Sequence, residues 1–256
     1  MKLRVSSSIA PFKKKAEKTW KLEEYKWPRD IFRPVVFFGM YNIADYLRYF
    51  SHLGWNCIIW AGSDITALKK SHFKKILTFW FSHIDNYVEN QLEWNELADE
   101  GICADICPTF LEDVDDFPIS FKPTDQPVVY ISTRPGREGE YGLPLLKNLK
   151  HKCPEITFVQ FAGNVPEDKF NEMIKTYHCG LRTNEHDGFS EIIAKSVLMG
   201  QYPISRLKYP HIDSYETEEQ LVALLKDLKN KKEPNLKARD FWRGNVNNFP
   251  FLNEEE

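Results

Sequence analysis

Short apolar runs alternate with segments of helical spacing along most of this 256-residue chain. A strand covered on both faces is apolar throughout, so this rhythm reads as parallel strands joined by crossover helices. Residues 35–38 (Val-Val-Phe-Phe) predict such a strand, ended by Gly39, and the spacing of Leu47 and Phe50 predicts a helix over 42–53 that Gly54 stops. A second strand is expected at 57–60, closing with Ala61-Gly62-Ser63-Asp64. Residues 68–81 are basic and aromatic, and their periodicity chooses neither helix nor strand. A helix over 91–100 capped by Gly101 and a strand over 102–107 complete this half.

Four prolines and several aspartates then interrupt the pattern between 108 and 127, the texture of an interdomain linker. Alternation resumes with strands at 128–131, 156–161, 179–181 and 202–204. Helices are expected over 142–150, 167–177, 191–199 and 217–228. The fold class expected is α/β, two Rossmann-like lobes with parallel sheets, the first of them reduced. Its expected divisions are a basic extension over 1–33, an amino-terminal lobe over 34–115 and a carboxy-terminal lobe over 125–230. A tail over 231–256 follows, with a return to the first lobe as one option.

Composition changes this picture little. The chain is 42% hydrophobic with a net charge of −3, which gives no electrostatic case for nucleic acid. No apolar stretch nears the ~20 residues that span a bilayer, and no apolar segment follows the basic start, so neither a membrane span nor a secretory signal is expected. The five cysteines form no Cys-x-x-Cys pair, as for reduced thiols in a cytoplasmic protein. The basic start suits either a solvated helix or a contact with anionic lipid, and residues 69–77 suit either core or peripheral membrane docking.

Ligands of open α/β sheets bind beyond the carboxyl ends of the strands. The loop 132–140 places Arg134, Arg137 and two glycines there, a composition suited to phosphate oxygens or simply to solvent. Residues 182–190 (Arg-Thr-Asn-Glu-His-Asp-Gly-Phe-Ser) lead into the helix at Glu191, whose amino end suits a diphosphate. Within that loop His186 and Asp187 suit sugar hydroxyls, although Asp187 or Ser190 as an N-cap accounts for the same residues. In the amino-terminal half Gly39, Tyr41, Ser63 and Asp64 follow strands and would face a cleft, with a helix cap as the alternative role of Asp64. No metal-ligand spacing, Gly-x-Ser-x-Gly or Walker loop occurs, which argues against hydrolase and P-loop chemistry.

The residues from Asp187-Gly188-Phe189 to Gly200-Gln201-Tyr202-Pro203-Ile204 resemble the carboxy-terminal signature of GT-B glycosyltransferases of retaining family 4. His186-Asp187-Gly188 resembles the form found in a subgroup of them. Trp60-Ala61-Gly62-Ser63-Asp64 is similar to a strand-end segment of related amino-terminal domains, and the loop 134–142 stands where the family has its basic donor loop. The likeness spans roughly residues 34–205. It implies a donor site in the second lobe that usually needs no metal or cofactor. Arg134 and Arg137 would hold the diphosphate, Asp187 would orient the transferred sugar, and Gly188, Phe189 and Ser190 would approach the phosphates. Two departures stand out: Lys195 occupies the second acid's position, leaving the ribose contact open to Glu191, and Glu140-Tyr141 replace the lysine of the basic loop. Glu191 and Lys195 are expected to form an ordinary surface pair.

The expected activity is therefore metal-independent, retaining transfer of a sugar from a nucleotide-sugar to a glycan, glycolipid or glycoprotein. Two alternatives remain at this point: a catalytically impaired sugar- or partner-binding relic, and a nucleotide-sugar epimerase.

Overall fold

The computed structural model describes residues 1–133, 136, 138–139, 141–161 and 165–252. The chain divides into two compact units. Unit 1 holds Met1–Asp113, the short segment His186–Phe189 and the chain from Val246 onward, and unit 2 holds Val114–Glu185 and Ser190–Asn245.

In unit 1 the elements run β1 (Lys2–Val5), α1 (Lys13–Trp20), β2 (Glu23–Glu24), β3 (Val35–Phe38), α2 (Ile43–Phe50) and β4 (Asn56–Ile59). They continue with α3 (Ser63–Lys70), α4 (Lys74–Phe81), β5 (Asp85–Val88), α5 (Gln91–Ala98) and β6 (Asp105–Ile106). The strands are parallel, in the order β2-β1-β3-β4-β5-β6. Alternate residues of β3 enter different cores. Val35 and Phe37 pack with Ile58, Trp60 and Phe81, while Val36 and Phe38 pack with Cys57, Ile59 and Tyr87 on the other face. Burial on both faces is why this strand is uniformly apolar.

The basic extension expected over 1–33 is instead part of this sheet. Strand β1 lies between β2 and β3, with Leu3 and Val5 buried. Trp20 at the end of α1 meets Phe38, Phe249 and Phe251 edge-on, with ring centroids 5.2, 5.7 and 5.3 Å apart. The charges that suggested a solvated arm stand on half-buried or exposed positions of elements whose other residues fill the core, and Lys2, Arg4, Lys13 and Lys15 pair with acids.

Unit 2 comprises β7 (Val128–Ser132), α6 (Leu143–Lys152), β8 (Thr157–Phe161), α7 (Glu167–Ile174), β9 (Cys179–Arg182) and α8 (Glu191–Leu198). After these come β10 (Ile204–Ser205), β11 (Asp213–Ser214), α9 (Glu218–Asp227) and α10 (Leu236–Asn245). Its parallel order is β8-β7-β9-β10-β11 around a core that includes Val129, Leu149, Leu181, Leu221 and Leu225. Thr217 starts α9 with a reciprocal pair of hydrogen bonds to Gln220, a capping box.

The expected linker is partly ordered into unit 2. Phe117 and Phe121 are buried, and the Ser120 and Phe121 amides donate to the Met199 carbonyl at 3.0 and 3.3 Å. The expected tail over 231–256 is divided. Helix α10 belongs to unit 2, where Arg239 Nε donates to the Leu198 carbonyl at 2.7 Å and Trp242 Nε1 to that of Pro210 at 2.9 Å. From Val246 the chain belongs to unit 1. All five cysteines are free thiols. No described helix is long and apolar enough to cross a membrane.

Both sheets reverse their winding between the first and third strands, β1/β3 in unit 1 and β7/β9 in unit 2. Such a switch point splays the adjoining loops apart and leaves a crevice at the carboxyl ends of the strands.

Candidate active site

In unit 2, the crevice beside β9 is shaped by close backbone approach. A Cβ on Gly180 would stand 2.7 Å from Ile192 Cγ2, so only glycine lets α8 lie this near the strand. Gly142, at φ +73° before α6, comes equally near Thr183, whose Oγ1 would be 2.4 Å from a Cβ there. The loop after β9 and the start of α8 are thereby held in place.

Buried polar groups normally find partners. Among the described residues nine buried side-chain polar atoms have none, and three of them fall within eight residues of one another: Thr183 Oγ1, Asn184 Oδ1 and Ser190 Oγ. Ser190 precedes α8 and is 3% exposed, yet its hydroxyl makes no capping bond to the helix. The first-turn amides of α8 therefore get no help from the residue that usually caps them. Two hydroxyls, an amide oxygen and the positive end of a helix thus lie close in sequence with hydrogen-bonding capacity that the protein does not use.

A cavity of about 200 Å³ opens along α8, lined by Ser132, Phe161, Val165, Glu167, Phe170, Glu191, Ile192 and Lys195, and none of the three unpartnered atoms belongs to its lining. Lys195 is not the surface partner expected from its spacing to Glu191. It is 1% exposed, with Nζ 3.2 Å from Glu167 Oε1, 3.0 Å from Asn171 Oδ1 and 4.0 Å from Glu191 Oε2. The Phe117 and Phe170 rings flank it at 5.8 and 5.4 Å. Every residue of α8 after Glu191 is buried, so even its polar positions face protein. A buried ammonium requires this enclosure of oxygens and ring faces.

In unit 1 the strand-end loops are laced by buried carboxylates. Asp45 accepts from Ser6 Oγ at 2.6 Å and from the Tyr41 and Asn42 amides at 3.2 Å. Asp64 is fully buried and accepts from the amides of Met40 (3.0 Å), Ala61 (3.1 Å) and Ile65 (3.0 Å), tying the loop after β3 to the loop after β4. Burial pushes its carboxyl up to about 6, against the downward pull of those amides. Tyr41 donates to the Ala61 carbonyl, and burial drives its phenol well above the usual range.

The segment His186–Phe189, covalently between β9 and α8, is anchored in unit 1 by α5 and the turn before it. Asn90 Nδ2 donates to the carbonyls of Asp187 (2.8 Å) and Gly188 (3.1 Å), while its Oδ1 caps α5 by accepting from the Glu93 amide at 3.1 Å. Glu89 accepts from the Phe189 amide at 2.6 Å and from the Thr109 hydroxyl. A Cβ on Gly188 would stand 2.1 Å from Glu89 Oε2, so a larger residue here would have to displace that carboxylate from the Phe189 amide. Glu93 accepts from the Glu89 amide at 2.7 Å through Oε2, and its Oε1 is buried without a partner. Burial raises both carboxyls far above the ordinary carboxylate range; the neighbouring charges of Asp187 and Asp64 push the same way.

The residues singled out by the sequence fare differently. Ser190 and Glu191 line or adjoin the unit 2 crevice, and Arg182 ends β9 with its guanidinium 4.8 Å from the Tyr141 ring. Gly188 and Phe189 are held by Glu89 and Asn90, and Phe189 meets the Phe110 ring at 6.0 Å. Asp187 is half-buried, whereas His186 Nε2 lies 2.8 Å from Glu96 Oε2 and is committed to α5. Asp64 does not line an open surface, because its oxygens are spent on backbone amides. Gly39 has φ +81° and abuts Tyr41, while Ser63 is exposed at the start of α3. Arg134 and Arg137 lie outside the described residues. Sequence reasoning missed Glu89, Asn90 and Glu93. Their one signal is an acid and an amide directly after the apolar Tyr87-Val88, at the functional end of a strand.

A larger cavity of about 590 Å³ in unit 1 lies at the opposite, amino-terminal ends of β1 and β3, among Lys2, Glu23, Arg29, Asp30 and Arg33.

No protein-family model matches the chain, and no curated protein does. Solved structures do. TarM superposes with a TM-score of 0.55 at 10% identity, over 83% of this chain and 51% of its own. The pneumococcal O-GlcNAc transferase GtfA, solved with UDP and GlcNAc, gives 0.54 at 12% identity over 86% and 55%. A UDP-forming α,α-trehalose-phosphate synthase from Burkholderia vietnamiensis gives 0.60 at 8% identity over 87% and 69%. The chain thus spans about half the length of TarM and GtfA. At these identities the likeness establishes architecture, and the architecture of this chain is the GT-B glycosyltransferase fold: two parallel α/β units, the first not reduced but carrying a six-stranded sheet against five in the second.

Proposed function

We propose that this chain is a glycosyltransferase whose nucleotide-sugar donor binds at the β7/β9 switch point of unit 2. The observation that carries this reading is the group of buried, unpartnered atoms Thr183 Oγ1, Asn184 Oδ1 and Ser190 Oγ at the carboxyl end of β9 and the start of α8. Burying such groups without partners costs about 1–3 kcal/mol each, a cost that a hydrogen-bonding ligand relieves.

In this reading the α8 amino end and the Ser190 hydroxyl take the donor diphosphate, joined by Arg134 and Arg137 from the loop after β7. Charge grows on the diphosphate as the sugar leaves, and fixed dipoles aimed there stabilise it without a metal ion. The Asp187 carboxylate orients the transferred sugar, while Asn90 and Glu89 hold its backbone. Glu191 remains the candidate for the ribose, since Lys195 is engaged by Glu167 and Asn171. Retention at the anomeric carbon is what the resemblance of residues 187–204 to retaining family 4 implies.

The test is release of nucleoside diphosphate from a panel of nucleotide-sugars offered with glycan and glycolipid acceptors, with and without EDTA, and the product anomer read by NMR. Turnover insensitive to EDTA, lost in Asp187→Ala with the fold intact, supports the proposal. Absence of both turnover and nucleotide binding across the panel refutes it. The engaged, buried Lys195 in place of an acid favours one second reading, a binding protein of the same fold. Nucleotide binding without turnover would select it.

A further inference from the structure

The surface of unit 1 carries an apolar face that neither core absorbs. Helix α4 turns Leu77 and Phe81 inward, as the core reading of this stretch requires, but leaves Ile76, Phe79 and Trp80 exposed at 58, 62 and 52%, with Phe73 before it at 68%. Helix α2 likewise buries Asp45 and Tyr49 while exposing Leu47 and Phe50. The Phe50 and Trp80 rings touch edge-on at 6.1 Å, so the two helices share one continuous apolar surface. Contiguous apolar surface on this scale marks a place where something docks.

Charge identifies the occupant. The stretch 69–83 contains Lys69, Lys70, Lys74 and Lys75 and no acid. Lys69 pairs with Glu96 of α5 and Lys74 with Glu100 just beyond its end, whereas Lys70 and Lys75 are exposed. A second copy docked about a twofold axis would press like-charged lysines together. Convex helix faces that combine Phe, Ile and Trp with a lysine rim instead match the boundary of a bilayer, where rings enter the headgroup layer and ammonium groups meet lipid phosphates. We propose that the α2–α4 face seats unit 1 on an anionic membrane surface. This inference does not rest on the sugar-transfer reading.

Co-sedimentation of the whole chain with vesicles tests it, using phosphatidylglycerol mixed with phosphatidylcholine against phosphatidylcholine alone at 0.15 M salt. At least tenfold tighter binding to the anionic vesicles is expected. Ile76→Ser with Phe79→Ser should weaken that binding at least tenfold, and Lys70→Glu with Lys75→Glu should erase the preference for anionic lipid. These side chains are exposed, so melting temperatures should stay within a few degrees of the parent. The proposal is overturned if neither vesicle is bound, or if the paired serine substitutions leave binding unchanged. It is equally overturned if light scattering shows a dimer that those substitutions convert to monomer, which would make the face a protein interface.

Discussion

The two units share a strand order and treat their switch points in opposite ways. In unit 1 most strand-end polar groups are engaged by the protein itself, with Glu93 Oε1 the exception: Asp45 and Asp64 collect hydroxyl and amide hydrogens from three loops, and Asn90 and Glu89 clamp the His186–Phe189 segment. In unit 2 the corresponding loop leaves Thr183, Asn184 and Ser190 buried and unanswered. The contrast separates a region that mainly holds its own backbone from one with three polar atoms left unpaired, which the proposed function assigns to a ligand. Strand order alone supplies a crevice in both, and the two differ in how many of their buried polar groups already have partners.

The strongest blow to the closed side should come from Gly188→Ala. Its new methyl group would meet Glu89 Oε2 at 2.1 Å, and overpacking of this kind costs about 3 kcal/mol. Chemical denaturation checks it, and an unaltered midpoint would mean the segment is not clamped. Next is Lys195→Ala, which empties an enclosed site in unit 2 and should cost about 2 kcal/mol. Lys195→Met keeps the bulk without the charge and should recover most of that loss.

The open side should respond with the reverse sign. Thr183→Val and Ser190→Ala remove unpartnered oxygens, so each should leave the free protein as stable as before or more stable by up to about 1 kcal/mol. Each should also weaken nucleoside diphosphate binding roughly five- to tenfold in calorimetry, the loss of one hydrogen bond to a charged group. Loss of stability with unchanged affinity would erase the distinction between the units.

The remaining test is pH. The Glu89 and Glu93 carboxyls have raised values in the folded chain, so between the ordinary carboxylate value and those raised values the native state holds protons that the unfolded state has released. Stability contributed by these groups is present at low pH and lost as pH rises through that window. Glu93→Gln should flatten the decline measured between pH 5 and 8, and an unchanged slope would mean the pair is ionised when folded.

Much of the fold was legible because buried parallel strands are uniformly apolar and glycines mark where helices stop, as at Gly101 and Gly200 with φ of +77° and +74°. Strand β1 was not, because Lys2 and Arg4 alternate with Leu3 and Val5 in a run too short to distinguish from a basic arm. Strand β5 begins with Asp85 and Asn86, and the latter is buried to receive the Trp60 indole N–H at 3.0 Å, a tertiary reason invisible to local pattern. The site was legible where glycine contact shows in a motif, at Gly188, and where a loop precedes a helix, at Ser190. It was illegible at Glu89 and Asn90, whose partners lie about a hundred residues away in sequence. Lys195 read as a surface partner of Glu191 because spacing reports the helix face and not what covers it.

A crystal structure of the chain with a bound nucleoside diphosphate tests the central claim most directly. The diphosphate is expected at the amino end of α8, with Ser190 Oγ and first-turn amides of the helix within hydrogen-bonding distance of its oxygens. A nucleotide seated elsewhere, with Thr183, Asn184 and Ser190 still unpartnered, would contradict it.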